Sequence, residues 1–162
     1  MIIKDELAEH RDPVRELHIA AFPDDTEANL VDRLRADSDA VISLVACDRS
    51  RVIGHVLFSV MSAPFRALAL APVAVAQSHR CKGVAASLIN DGIARARNEG
   101  WEGILVVGEP AYYSRFGFSM EAAQGFASPY AGPYFMLLDL TEGDLAGKSG
   151  DVQHAPAFAA LG

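Results

Sequence analysis

His79, Arg80 and Lys82 crowd together immediately before Gly83 in the stretch QSHRCKGVAASL, within a chain whose formal net charge is -7. Positive charge concentrated at one point of an acidic protein is a candidate anion site. The apolar residues that follow, Val84, Ala85, Leu88, Ile89, Ile93 and Ala96, recur at helical spacing, so the cluster sits where a helix begins. A helix start offers unpaired backbone N–H groups and the positive end of the helix dipole, and Arg80 and Lys82 add full charges to them. Gly83 lets a phosphate approach the backbone, and a pyrophosphate fits such a loop well. A nucleotide P-loop is excluded, because its lysine follows the last glycine whereas Lys82 precedes Gly83. A dinucleotide fingerprint is excluded too, because no G-x-G-x-x-G run exists. On charge alone, a solvated basic loop remains the alternative.

The elements that must position this loop are legible on either side of it. Upstream, ALALAPVAVA at 67–76 reads as a strand, but its large residues fall at Leu68 and Leu70 and then at Val73 and Val75. Side chains of a strand alternate with a period of two, so this change of phase across Pro72 predicts an inserted residue, a β-bulge. Proline fits there because it cannot donate a ladder hydrogen bond. Downstream, Arg95 and Arg97 complement the last turn of the helix, Gly100 closes it, and GILVV at 103–107 forms a buried strand. Strand, helix, strand in that order predicts a right-handed βαβ crossover and a parallel pair.

Earlier in the chain, DPVRELHIAAF at 12–22 predicts a helix with Asp12 as N-cap and Pro13 at its first position. A second helix is expected from Asp24 to about Ala36, with Glu27 completing a capping box and Leu30, Val31 and Leu34 facing inward. VISLVAC at 41–47 and VIGHVLFSVM at 52–61 predict a hairpin across Asp48–Arg51. A short helix around Tyr112–Arg115, a turn at Gly117 and a strand near 134–140 complete the inventory. The expected class is mixed α and β, an α+β arrangement with antiparallel strands early and a parallel pair later.

Composition narrows the function classes. The 162 residues fit one domain, 1–162, able to bury a core without disulfides. The two cysteines, Cys47 and Cys81, have no metal-ligand spacing and point to a reducing, cytoplasmic setting. No apolar stretch approaches the roughly 20 residues that span a bilayer. Asp and Glu (21) outnumber Lys and Arg (14), which argues against nucleic acid as a partner and favours an amine-bearing one.

Arg80-Cys81-Lys82-Gly83-Val84-Ala85 matches the R/Q-x-x-G-x-G/A motif of the GNAT superfamily of N-acetyltransferases. VAVAQSHR resembles that superfamily's bulged fourth strand, and GEPAYYSRFGF its tyrosine-bearing segment before a Gly-Phe turn. EANLVDRLR, SLVAC and GHVLFS are similar to the bacterial YhbS-like branch. The resemblance runs over nearly the whole chain, is strongest from Leu70 to Phe118, and is least diagnostic after Thr141. It implies a mostly antiparallel twisted sheet flanked by helices, and an acetyl-CoA-dependent transfer to a small-molecule or peptide amine without a metal. Arg80, Cys81, Lys82, Gly83, Val84 and Ala85 would hold the pyrophosphate, with Ala85 standing where glycine is commoner. Backbone groups at Val73 and Val75 would hold the pantetheine arm, and Tyr113 would be the general acid. For the base, Glu27, His55, Glu109 and a bound water are all candidates, although capping explains Glu27 and a core position explains His55. A non-catalytic acyl-CoA sensor is the rival reading. The acceptor, and the choice between monomer and homodimer, stay open.

Overall fold

Along the chain, the computed structural model, which describes residues 1–161, places β1 (Ile2–Asp5), α1 (Arg11–Ala21), α2 (Thr26–Ala36), β2 (Ala40–Asp48), β3 (Arg51–Met61) and β4 (Ala67–Val75). There follow α3 (Val84–Asn98), β5 (Gly103–Val107), the single-turn helices α4 (Pro110–Tyr113) and α5 (Met120–Ala123), and strands β6 (Phe126–Ala127), β7 (Phe135–Asp139) and β8 (Gly150–Asp151). Strands β1-β2-β3-β4-β5-β7 make one sheet in that spatial order, antiparallel throughout except for the β4–β5 pair, and β6 pairs with β8 separately. The mixed, mostly antiparallel class expected from the sequence is the one observed.

Helices cover both faces, so the central strands are buried on both sides. On β3, Val56 and Phe58 pack under α3 with Leu88, Ile89 and Ile93, while Leu57 and Met61 face the other way, into the layer formed by α1 and α2. The α3 layer is close enough to the sheet to dictate glycine at two positions. A Cβ on Gly54 would lie 2.9 Å from Leu88 and Val84, and one on Gly92 would collide with the Phe58 ring. Among the described residues no helix is long and apolar enough to cross a membrane.

Three local expectations change. β1 lay outside the sequence reading because IIKD is short, exposed and without alternation. Its presence makes the proline-bearing strand the fourth. Helix α1 opens at Arg11, after a 3-10 turn at Ala8–His10, so Asp12 lies inside the first turn rather than at the cap. The capping box at Asp24 and Glu27 does not form: α2 starts at Thr26, whose N–H donates to Asp24 Oδ1 at 2.9 Å in a local turn. The half-buried Glu27 therefore has no capping role.

The bulge at Pro72 is present. Val56 of β3 faces Val73 of β4 and Phe58 faces Leu70, so Ala71 and Pro72 stand opposite the single residue Leu57. The extra residue carries β4 away from its other neighbour. β4 pairs with β5 only at Ala67–Ala69, against Gly103–Leu105, and from Leu70 onward that side of β4 is open.

Candidate active site

Which backbone groups line the opened edge follows from one hydrogen bond. Ala76 donates its N–H to Ile53 O of β3 at 2.8 Å. Backbone groups of a strand alternate in direction, so those of Ala74 also face β3, while those of Val73 and Val75 face the side that β5 has vacated. Arg80 Nε reaches back to Val75 O at 3.5 Å across the same side.

The chain then turns into α3 through a loop of unusual backbone. Cys81 has φ 62° and Gly83, the N-cap of α3, has φ 80°, so two left-handed residues flank Lys82. Such alternation turns N–H groups inward to form an anion-binding concavity. A Cβ at residue 83 would meet no protein atom, so its φ, rather than crowding, calls for glycine. The loop is tied down by His79, which bonds Ser78 Oγ at 2.8 Å and Asp48 Oδ2 at 3.1 Å on the β2–β3 turn. That contact stabilises the Asp48 carboxylate and holds it below the usual range.

A cavity of about 530 Å³ occupies the cleft, walled by Val73, Val75, Arg80, Cys81, Gly83 and Val84, with Ala85 beside them. Sequence reasoning had singled out all seven. His79, Ala86, Tyr112 and Arg115 also line it, whereas the exposed Lys82 does not. Arg115 escaped the sequence reading because nothing local marks it. It reaches the site by stacking over the Tyr112 ring at 4.4 Å and donating to Tyr112 O at 3.0 Å.

Of the two tyrosines of α4, one lines the cavity. It is Tyr112 that faces the cavity, while Tyr113 is not among the lining residues. The Tyr113 ring meets the Tyr112 ring edge-on at 5.1 Å and packs inward against Phe116 and Phe118. A Cβ on Gly108 would collide with the Tyr113 ring, so the glycine just after β5 makes the seat of that tyrosine. Burial pushes the Tyr113 phenol up to about 12, and burial raises Tyr112 as well. Both hold their protons firmly near neutral pH, which suits a donor and not a base.

The base candidates lie apart. Glu109 is exposed at the start of α4, and Glu27 is half-buried on α2. His55 is fully buried, bonded to His18 at 2.8 Å and to Ser43 at 2.8 Å.

A strand splayed from its neighbour by a bulge thus leads directly into the glycine-capped start of a helix. The family model described as Acetyltransferase (GNAT) family matches residues 9–118. The chain is 32% identical over 164 residues to the uncharacterized N-acetyltransferase YhbS of Escherichia coli K12, covering 98% of each. A crystal structure of E. coli YhbS in complex with CoA superposes with a TM-score of 0.93 at 30% identity, over 99% of this chain and 93% of that one. A GNAT family acetyltransferase from Brucella melitensis, solved in complex with acetyl-CoA, superposes with a TM-score of 0.80 at 29% identity, over 97% of each chain. This chain belongs to the GNAT family and is an N-acetyltransferase of that class.

Proposed function

We propose that the protein transfers the acetyl group of acetyl-CoA directly to a primary amine, with no covalent enzyme intermediate. The observation that carries this reading is the single cavity that joins Val73 and Val75 to Cys81 and Gly83 of the loop. Arg80 and the N–H groups from Cys81 to Ala85 bind the pyrophosphate, with Lys82 adding charge at longer range. Val73 and Val75 hold the pantetheine arm through their backbone, and the Val73 N–H polarises the thioester carbonyl as the tetrahedral oxyanion develops. The neutral amine attacks, the carbon–sulfur bond breaks, and Tyr113 protonates the departing thiolate. A phenol near 12 is a weak acid, but desolvation in the same cleft also raises the thiol it serves. Free thiols at Cys47 and Cys81 fit a cytoplasmic setting.

The assay is coenzyme A release from acetyl-CoA with a panel of amines: an aminoglycoside, a polyamine, free amino acids and a peptide amino terminus. Tyr113→Phe is expected to lower kcat about 10²-fold or more with little change in acetyl-CoA binding. Because Tyr112 lines the cavity, Tyr112→Phe is the necessary partner variant. If it alone lost activity, the donor would be Tyr112. Tight acetyl-CoA binding with no turnover of any amine would overturn direct transfer.

A further inference from the structure

A buried hydrogen-bond chain runs through the α1 side of the sheet, on the face opposite α3. It starts at Glu6, which is ion-paired with Arg35 and buried in its side chain. Ser43 Oγ donates to Glu6 Oε1 at 2.9 Å. The serine has one proton and has given it to the carboxylate, so the contact at 2.8 Å between Ser43 Oγ and His55 must be donated by His55 Nε2. A neutral imidazole with its proton on Nε2 has a bare Nδ1. The contact at 2.8 Å between His55 Nδ1 and His18 is therefore donated by His18 Nε2. Each step fixes the next, and His18 Nδ1 is left as a lone pair, fully buried and without a hydrogen-bond partner among the described residues.

The chain meets the strand of the proposed reaction edge through His55. His55 is the cross-strand partner of Ala74, between Val73 and Val75. On this face β4 carries the small side chains of Ala67, Ala69, Ala71 and Ala74, around the bulge at Pro72. Ser59 Oγ, across from Ala69, is a second buried polar atom on the same face without a partner among the described residues.

We propose that Glu6, Ser43, His55 and His18 form a proton relay that deprotonates the acceptor ammonium. The inference rests on the direct-transfer reading above. His18 Nδ1 takes the proton from the ammonium, through a water molecule, and its Nε2 proton passes to His55 Nδ1. The His55 Nε2 proton passes to Ser43 Oγ, and the Ser43 proton to Glu6. The outcome is a neutral amine, a protonated Glu6 and two imidazoles in the opposite tautomer, with one proton moved and none lost. No imidazolium accumulates. Burial lowers His18 to about 4 and His55 well below its ordinary value, so both imidazoles stay neutral. The charged groups packed around the chain are Arg35 and Asp32 on α2, with Arg15 of α1 bonded to Asp32. His10, buried nearby on the 3-10 turn, is engaged with the Leu7 N–H.

His55→Gln separates relay from scaffold, because an amide can keep both hydrogen bonds but cannot exchange tautomers. With the amine panel, this variant is expected to lose about 10²-fold in kcat at pH 7 while KM for acetyl-CoA holds. The loss should shrink as the pH approaches the amine's own pKa, roughly 10 for a lysine-like acceptor, since a neutral amine needs no relay. A purely structural histidine would give a loss independent of pH, and that result overturns the relay. Nitrogen-15 NMR of the wild-type protein with coenzyme A bound is expected to show His18 and His55 protonated at Nε2, and Nδ1–H on either would also overturn it. If no amine is acetylated even by wild type, direct transfer fails and takes the relay's role with it. Wild-type turnover with an unaffected His55→Gln variant sinks the relay alone.

Discussion

At the scale of single residues, the site is governed by where small side chains permit large ones to sit. Gly108 is the plainest case, since any Cβ there collides with the Tyr113 ring. Gly108→Ala is expected to displace the phenol and cost about 10-fold or more in kcat, in the manner of small misplacements in active sites. In a Tyr113→Phe background the same change should add almost nothing to the kcat loss, which a double-mutant cycle on kcat will check. Arg80 tests the other end of the cleft. It is the cavity-lining basic residue nearest the strand edge, and loss of a charge-assisted hydrogen bond of about 1.5–3 kcal/mol predicts a Kd for coenzyme A raised by roughly 10-fold or more. Titration calorimetry at two salt concentrations measures it, with the wild-type salt dependence expected to flatten in Arg80→Ala.

Among elements, the decisive relation is between β4, its two neighbours and α3. The bulge at Ala71–Pro72 keeps β4 paired to β3 while releasing it from β5, so the cleft opens on one side without loss of sheet continuity. Helix α3 must then sit low on β3 for its N-terminus to reach the freed edge. Gly92 makes that approach possible over Phe58. Elsewhere in a helix, Gly→Ala would gain about 1 kcal/mol of propensity. Here the added methyl enters a filled core at a cost of about 1–3 kcal/mol, so the overpacking term wins. Gly92→Ala is expected to lower Tm by a few degrees, as read by calorimetry, and to weaken coenzyme A binding by tilting the start of α3.

For the whole molecule, buried neutral histidines couple stability to pH. His18 and His154 are lowered from 6.5 to about 4 by burial, and His55 is lowered further by burial and by His18. In the unfolded chain each would titrate near its ordinary value, so between about pH 6.5 and 4 the unfolded state binds more protons than the native one. Their contribution is therefore complete above pH 6.5 and is lost as the pH falls towards 4. Tm should decline through that window, measured at constant ionic strength. His154→Phe should reduce the decline, because the ring keeps its packing against Tyr130 and Phe158 without a proton to gain. His55 is a less suitable reporter, since its removal also breaks the bonds to His18 and Ser43.

By itself, the sequence determined the features that depend on neighbours along the chain. The change of phase across Pro72 required a bulge wherever β4 lay, Gly83 opened a helix because the periodicity began there, and the basic loop had to fall between them. Motif spacing likewise carried the family. Features set by chain segments far apart stayed out of reach. β1 is too short to show a period, and Asp24 and Glu27 fit a capping box until the turn at Thr26 took the hydrogen bond. Neither Tyr112's place on the cavity wall nor Arg115's beside it is written in local pattern, because both follow from how α4 lies against the splayed strands. The chain of Glu6, Ser43, His55 and His18 joins four separate segments. A lone histidine in a strand says nothing of its partners; burial decides that it must have them, and only tertiary packing decides which they are.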